Sequence, residues 1–216
     1  MKAYVITITD NPKSVKSAKK CIESGAKNGL TIEMFGAFTP NDNPIKFLEE
    51  RSIDPKGFRE KYSRPLNCMS AFISHYSLWE RSRDLNETIA IFEHDAIVTG
   101  KIPVDVEFDK VMTFSKPSYG SFNTPINLGV DGLIQKQYFG GAHGYMVKPE
   151  GASILINEAS KSAQPTDIYL GTHNFPWLQE YYPWVCIAAD SFTTIQNQTG
   201  CGAKHNNNDK YEIIDA

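Results

Sequence analysis

The run Ile89-Ala90-Ile91-Phe92 is apolar without interruption and stops at Glu93-His94-Asp95. A short, continuous apolar run bounded by charge is the pattern of a central parallel strand covered on both faces, and such a strand needs helices above and below it. The residues ahead of it supply the start of that layering. Tyr4 to Thr9 is β-prone and is followed by Asn11-Pro12, a favourable N-cap and first helical residue. Val15, Ala18 and Ile22 then share one face, lysines occupy the rest, and Gly25 is placed to end the helix. Thr31 to Phe35 is a second β-prone run ending at Gly36. The chain is therefore expected to open as a β-α-β unit with a right-handed crossover and parallel strands.

From Thr39 to Pro65 the period is lost, and Pro40, Pro44, Pro55 and Pro65 mark a long loop with short helical pieces. Periodicity returns with Met69, Phe72, Ile73, Tyr76 and Trp79 on one helical face, leaving Ser74, His75, Glu80 and Arg81 off its centre. Val111 to Phe114 reads as a strand and Lys116 to Gln137 as a glycine- and proline-punctuated loop. Gly144 to Val147 is another strand, leading into a helix with Ala152, Leu155, Ile156 and Ala159 on one face. The stretch from Tyr169 to Trp184 resists assignment; its cluster Trp177, Tyr181, Tyr182 and Trp184 suits core packing or stacking on sugar or base faces. Asn197 to Lys210 is a polar tract that cannot bury a core. The expectation is one domain over residues 1–195 and a polar C-terminal tail over 196–216; deletion of Asn206 to Ala216 should change stability little.

Composition excludes several classes. With 22 Lys plus Arg against 25 Asp plus Glu the net charge is −3, which argues against a protein that mainly grips phosphate backbones. At 216 residues, 41% of them apolar, the chain can bury a core without staples. No run approaches the roughly 18 apolar residues a membrane span requires. Cys21, Cys68, Cys186 and Cys201 are scattered with no C-x-x-C, and with no export signal they read as reduced thiols and a cytoplasmic location. Cys201 and His205 lack the second pair of a structural zinc site. No phosphate-binding glycine motif and no G-x-S-x-G elbow occurs, which disfavours P-loop, Rossmann and serine-hydrolase chemistry.

In an open α/β sheet, ligands bind beyond the carboxyl ends of the strands, where Glu93-His94-Asp95 falls. Carboxylates at i and i+2 can converge on one hard cation, or can merely cap the next turn. The order of segments says more. Ala71-Phe72-Ile73-Ser74-His75-Tyr76-Ser77-Leu78-Trp79 followed by Ile91-Phe92-Glu93-His94-Asp95 resembles glycosyltransferase family 25, the lipopolysaccharide and collagen sugar-transferase group, in which a helix with a C-x-x-S-H-x-x-x-W-like signature precedes a strand ending in E-D-D. Phe35 to Phe38, Asp109 to Phe114, Gly141 to Val147 with Gly151-Ala152, and Pro165-Thr166-Asp167 are similar to further family segments in the family's order, over roughly residues 4 to 195.

The resemblance implies a GT-A type α/β fold, a Rossmann-like mixed sheet flanked by helices in a single domain. It also implies a nucleotide-sugar donor, commonly uridine diphosphate-linked, a saccharide acceptor and a divalent cation, usually manganese. Carried onto this sequence, the metal set is Glu93, Asp95 and His94, the donor contacts are Ser74, His75 and Thr7, and the catalytic base is Asp167, for which a helix N-cap is the alternative role. His143 and Tyr145 stand at the mouth of the later strand. Three features depart from the family pattern: Ala71 replaces a cysteine and Asn67 to Ser70 a G-E-x-G approach, His94 replaces the middle aspartate, and the N-terminal strand lacks the arginine pair that often follows it, at the place of the donor-side contacts near Asn11 and Lys13. If His94 is a ligand, metal affinity should fall as pH drops through about 6.5. A relative that binds a nucleotide or glycan without transfer, and a metal-dependent phosphodiesterase, are the alternative functions. A saccharide is the expected acceptor and a nucleic acid is not, a modified base apart. Oligomeric state is unreadable from the sequence.

Overall fold

In the computed structural model, which describes residues 1–59, 63–189, 191–197 and 211–216, the chain opens as its hydrophobic pattern dictates. Strand β1 (Lys2–Thr7) leads into α1 (Pro12–Lys27), and β2 (Glu33–Gly36) lies parallel to β1 with Tyr4 opposite Glu33. Asn11 Oδ1 caps the helix, accepting from the N–H groups of Lys13 and Ser14 at 3.0 and 3.2 Å. Gly25 does not end α1. A Cβ at that position would stand 2.5 Å from Ile32 Cδ1, so glycine there lets the helix approach the chain entering β2; the stop comes at Asn28 and at Gly29, whose φ is 80°.

The proline-rich segment forms α2 (Pro44–Glu50) between 3-10 turns at Pro40–Asp42 and Pro55–Gly57, each starting on its proline. The long helix α3 (Pro65–Leu85) follows, then β3 (Ile89–Glu93), β4 (Ala96–Val98), β5 (Val111–Thr113), β6 (Gly129–Gly132) and β7 (Gly144–Val147). Helices α4 (Pro149–Ser162) and α5 (Thr166–Tyr169) precede β8 (Gln179–Tyr182), β9 (Cys186–Ala188), β10 (Phe192–Thr193) and β11 (Glu212–Ile213).

Among the described residues seven strands form one mixed sheet in the order β2-β1-β3-β7-β5-β8-β6. Strands β2, β1 and β3 are parallel, β7 runs against both β3 and β5, β8 lies parallel to β5, and β6 runs against β8. Residues Ile89 to Phe92 of β3 are all fully buried. Ile89 and Ile91 pack with Phe72, Trp79 and Tyr145 on one side, while Ala90 and Phe92 pack with Ala18 and Cys21 of α1 on the other. Coverage of both faces is what an unbroken apolar run requires, and the result is the mixed α/β sheet flanked by helices that the sequence leads one to expect.

Two strands of the seven-stranded sheet went unread in the sequence. β6 lies inside the Lys116–Gln137 loop and β8 inside the unassigned aromatic stretch, paired Gly129 to Tyr182 and Gly132 to Gln179. Helix α3 is also buried more completely than one apolar face implies: Ser74 and His75 are 0% and 1% exposed, because the helix packs against α2, α4 and α5 as well as the sheet.

Of the tail, residues 198–210, with Cys201 and His205, lie outside the described residues. Residues 211–216 return to the body: β11 pairs parallel with β10, Arg64 Nη2 donates to Ile214 O at 2.6 Å, and Asn11 Nδ2 donates to Asp215 O at 2.9 Å. Cys21 and Cys186 are buried free thiols, and Cys68 is buried as well. No helix among the described residues is long and apolar enough to cross a membrane.

Candidate active site

Parallel β1, β2 and β3 bring their carboxyl ends to one edge of the sheet, and a cavity of about 560 Å³ opens there. Ile6 and Phe38 border it from the β1 and β2 ends, Ser74 and His75 from α3, Glu93 to Asp95 from the end of β3, and Thr166 and Asp167 from α5.

Glu93 shares a strand face with Ile89 and Ile91, so the two-residue period of β3 turns its side chain toward α3. There His75 Nε2 lies 3.2 Å from Glu93 Oε1, and His75 Nδ1 lies 3.0 Å from Tyr145 Oη. Trp79 Nε1 donates to the same Tyr145 oxygen at 2.8 Å. Indole can only donate and a carboxylate can only accept. The network therefore assigns the proton of neutral His75 to Nε2, with the Tyr145 hydroxyl donating to Nδ1. Trp79, Tyr145 and His75 are all buried. Burial acts to raise the Glu93 carboxyl, but the hydrogen bond from His75 and the electrostatic attraction of His75, His143 and His94 outweigh it and hold the group below the usual range. Glu93 is thus an anion aimed at the cavity by a fully paired chain of side chains.

His94 Nδ1 lies 3.0 Å from Ser14 Oγ, and its ring packs 4.9 Å from that of Phe192. Burial pushes its pKa down to about 4 against the opposing pull of Glu93, so the imidazole is neutral near pH 6.5. Asp95 lies in the turn between β3 and β4 and lines the cavity with Glu93 and His94; its carbonyl accepts from Ala189 N at 2.9 Å.

The residues read as donor contacts are placed differently from one another. Ser74 lines the cavity, but its Oγ accepts from Phe38 N at 2.8 Å and donates to Ser70 O at 2.9 Å, which pins the β2 exit onto α3. His75 lines it as well and is committed to Glu93 and Tyr145. Thr7 is fully buried, its hydroxyl donates to Val5 O at 3.0 Å, and it is not among the lining residues. The strand alternates, so Ile6 and Ile8 face the cavity in its place. His143 lines the cavity, whereas Tyr145 stands behind it.

Asp167 sits in the first turn of α5, two residues after the Pro165 that precedes the helix, and is not its N-cap. Oδ1 accepts from Ile168 N at 2.9 Å, and Oδ2 accepts from the Tyr119 hydroxyl. Burial raises the carboxyl above the usual range despite both hydrogen bonds, and the Glu93 charge adds to the rise. Tyr119, Tyr138 and Lys136 line this side of the cavity. Sequence reasoning missed them because they lie in or next to a segment without periodicity, where Gly120 after Tyr119 was the only local signal. The Trp177 to Trp184 cluster lies away from the cavity: Trp177 packs on Phe175, and Trp184 on Phe122 and Tyr182.

Among the described residues no group of three or more His, Cys, Asp or Glu could hold a metal ion by itself. Two carboxylates bordering one cavity do fit a small hard cation that takes its remaining oxygens from a bound diphosphate. Glu93 and Asp95 are that pair.

A mixed α/β sheet with an acidic pair at the carboxyl end of a central parallel strand, opening on a ligand-sized cavity, is the arrangement that the family resemblance implies. The model of glycosyltransferase family 25, described as a lipopolysaccharide biosynthesis protein, matches residues 1–109, just over half of the 216, and the chain belongs to that family. No curated protein matches. Among solved structures, a glycosyltransferase involved in glycosylation of the major capsid of PBCV-1 is similar with a TM-score of 0.46 and 8% identity, covering 87% of this chain and 93% of that one. A mutant Drosophila β-1,4-galactosyltransferase 7 in complex with manganese, UDP-Gal and xylobiose is similar with a TM-score of 0.36 and 9% identity, covering 80% and 68%. Likenesses this distant add nothing to what the sheet and the family match establish.

Proposed function

We propose that this glycosyltransferase moves a sugar from a nucleotide-sugar donor, uridine diphosphate-linked, to a hydroxyl of a saccharide acceptor, with a divalent cation such as manganese assisting. The observation that carries the reading is the pair Glu93 and Asp95 at the edge of a cavity that Asp167 also lines. At about 560 Å³ the cavity falls within the ~300–1,000 Å³ typical of small-molecule sites.

In this reading the donor diphosphate lies over Glu93 and Asp95, which would hold the cation; that ion would supply positive charge to stabilise the departing diphosphate. Asp167 takes the proton of the acceptor hydroxyl. The hydroxyl oxygen forms the new bond to the anomeric carbon, and the bond from that carbon to the diphosphate oxygen breaks with its electron pair leaving on the diphosphate. A carboxyl raised by burial is a better base than an exposed one, which suits Asp167 to that task. His75, Tyr145 and Trp79 hold Glu93 in its anionic form.

Asp95→Asn tests the reading. Transfer, followed as nucleoside diphosphate release from a panel of UDP-sugars, should fall by about two to three orders of magnitude with the circular dichroism spectrum unchanged. Full turnover in Asp95→Asn, or in excess chelator, would exclude metal-assisted transfer at this site.

A further inference from the structure

Beyond the three acids, the cavity holds a single Lys or Arg among its described lining residues, and it is Lys136. Its Nζ stands 5.2 Å from the ring centroid of Tyr119 and 5.3 Å from that of Tyr138, two rings stacked 6.4 Å apart. Gly120 makes the room: it has a φ of 64°, and a Cβ there would come 3.1 Å from the ammonium. The backbone that carries Lys136 is held in place, because the N–H groups of Ile134 and Gln135 both donate to the buried Glu180 carboxylate at 2.7 and 2.8 Å. Cation–π contact with two rings fixes where the ammonium sits but consumes none of its three N–H donors. Among the described residues Lys136 makes neither a hydrogen bond nor an ion pair, Asp167 included, although that carboxylate is near enough to raise its pKa against the lowering effect of burial. A second unmet group stands next to Asp167 in sequence. Thr166 Oγ1, on a residue 6% exposed that lines the same cavity, has no hydrogen-bond partner.

A positioned ammonium with three free donors, a free hydroxyl and two aromatic rings suit a sugar carrying a negative charge. We propose that Lys136 and Thr166, walled by Tyr119 and Tyr138, form a subsite for an anionic sugar, one bearing a carboxylate or a phosphate. The inference rests on the transfer reading above only for the place of that sugar. The subsite adjoins Asp167, the proposed base, and not the Glu93–Asp95 pair proposed for the diphosphate, so the charged group belongs to a sugar ring at the reacting end of the cavity. Both acceptor and donor sugars reach that end.

The test titrates the full-length protein, saturated with UDP, with methyl glucuronide, glucose 6-phosphate and methyl glucoside by ligand-observed NMR. A second arm titrates UDP-glucuronate against UDP-glucose by calorimetry. One charge-assisted contact should favour the charged sugar over the neutral one by about tenfold or more in one arm. Lys136→Met should abolish that preference, Lys136→Arg should keep it, and UDP affinity should change less than about twofold in either variant. Preference in the first arm assigns the charge to the acceptor, and in the second to the donor sugar; either supports the subsite. Equal binding of charged and neutral sugars by the wild type in both arms would overturn it. So would a tenfold loss of UDP affinity in Lys136→Met with the sugar preference intact, since Lys136 would then serve the diphosphate. If the wild type binds no UDP or UDP-sugar yet prefers glucuronide, the donor reading fails and the anionic subsite stands.

Discussion

Tyr145→Phe removes one oxygen that two buried groups depend on. Trp79 Nε1 donates to it at 2.8 Å and His75 Nδ1 accepts from it at 3.0 Å, with Tyr145 and Trp79 fully buried and His75 1% exposed. The ring stays, so packing against Phe139, 5.8 Å between centroids, is retained and the loss is confined to hydrogen bonding. A stranded buried donor or acceptor costs about 1–3 kcal/mol, so two cost about 2–5 kcal/mol after partial relief. In a chain of 216 residues that lowers Tm by about 5–15 °C. The functional consequence is separate. Without the Tyr145 hydroxyl on Nδ1, His75 no longer holds its proton on Nε2, and Glu93 loses its fixed donor. Removing a group that orients a ligand in this way typically lowers activity about 10–100-fold. Thermal unfolding followed by circular dichroism, with donor turnover measured well below Tm, reads both. A Tm within 1 °C of wild type together with unchanged turnover would mean that the chain of side chains behind Glu93 is neither structural nor functional.

Three other outcomes follow from particular groups. Burial raises Asp167, so the folded chain holds this proton more tightly than the unfolded chain and loses stability as pH rises from the ordinary 3.8 through the raised value. Asp167→Asn should therefore match or exceed the wild-type Tm at pH 8 and lose that advantage near pH 4, while transfer drops about 10²–10⁴-fold; a variant less stable at pH 8 than at pH 4, relative to wild type, contradicts this. His94 has the opposite sign: its pKa falls from 6.5 to about 4, so its contribution is complete above 6.5 and is lost as pH falls toward 4, on the order of 3 kcal/mol in all. His94→Asn, which keeps an acceptor for Ser14, should flatten the decline in urea-unfolding stability between pH 6.5 and 4, and a decline as steep as wild type would show that another group titrates. Truncation after Lys210 removes the hydrogen bonds from Arg64 and Asn11 and the β10–β11 pairing, and should lower Tm by about 2–8 °C; an unchanged Tm would mean that residues 211–216 add nothing to stability.

What the sequence disclosed and what it hid divide along physical lines. Ile89 to Phe92 announced a strand buried on both faces because no polar residue could be tolerated there, and Asn11-Pro12 announced a helix start because capping is local chemistry. Strand β6 was illegible: Gly129, Asp131 and Gly132 have no apolar alternation, and the strand exists because β8 offers it backbone partners. Gly25 misled for a related reason. It looks like a helix stop in one dimension and proves to be a close contact with Ile32 in three. At the site, Glu93, His94 and Asp95 were readable from the abrupt change at a strand's end, and Asp167 from its family-like P-x-D. The His75–Tyr145–Trp79 chain was not, since Tyr145 is 66 residues from Trp79 in sequence and only pairing of β7 with β3 brings them together. Thr7 was misplaced by one step of strand alternation, which sends its side chain away from the cavity that Ile6 and Ile8 line.

The central claim is that Glu93 and Asp95 receive a nucleotide-sugar diphosphate together with a divalent cation that neither the chain nor the donor holds well alone. Calorimetric titration of UDP-sugars into the wild-type chain, with and without manganese, addresses it directly. The account predicts weak binding of manganese alone, saturable donor binding that manganese tightens at least about tenfold, or roughly 1.4 kcal/mol, and loss of that enhancement in Asp95→Asn. Donor binding of equal strength with and without manganese, or in wild type and Asp95→Asn alike, would contradict it.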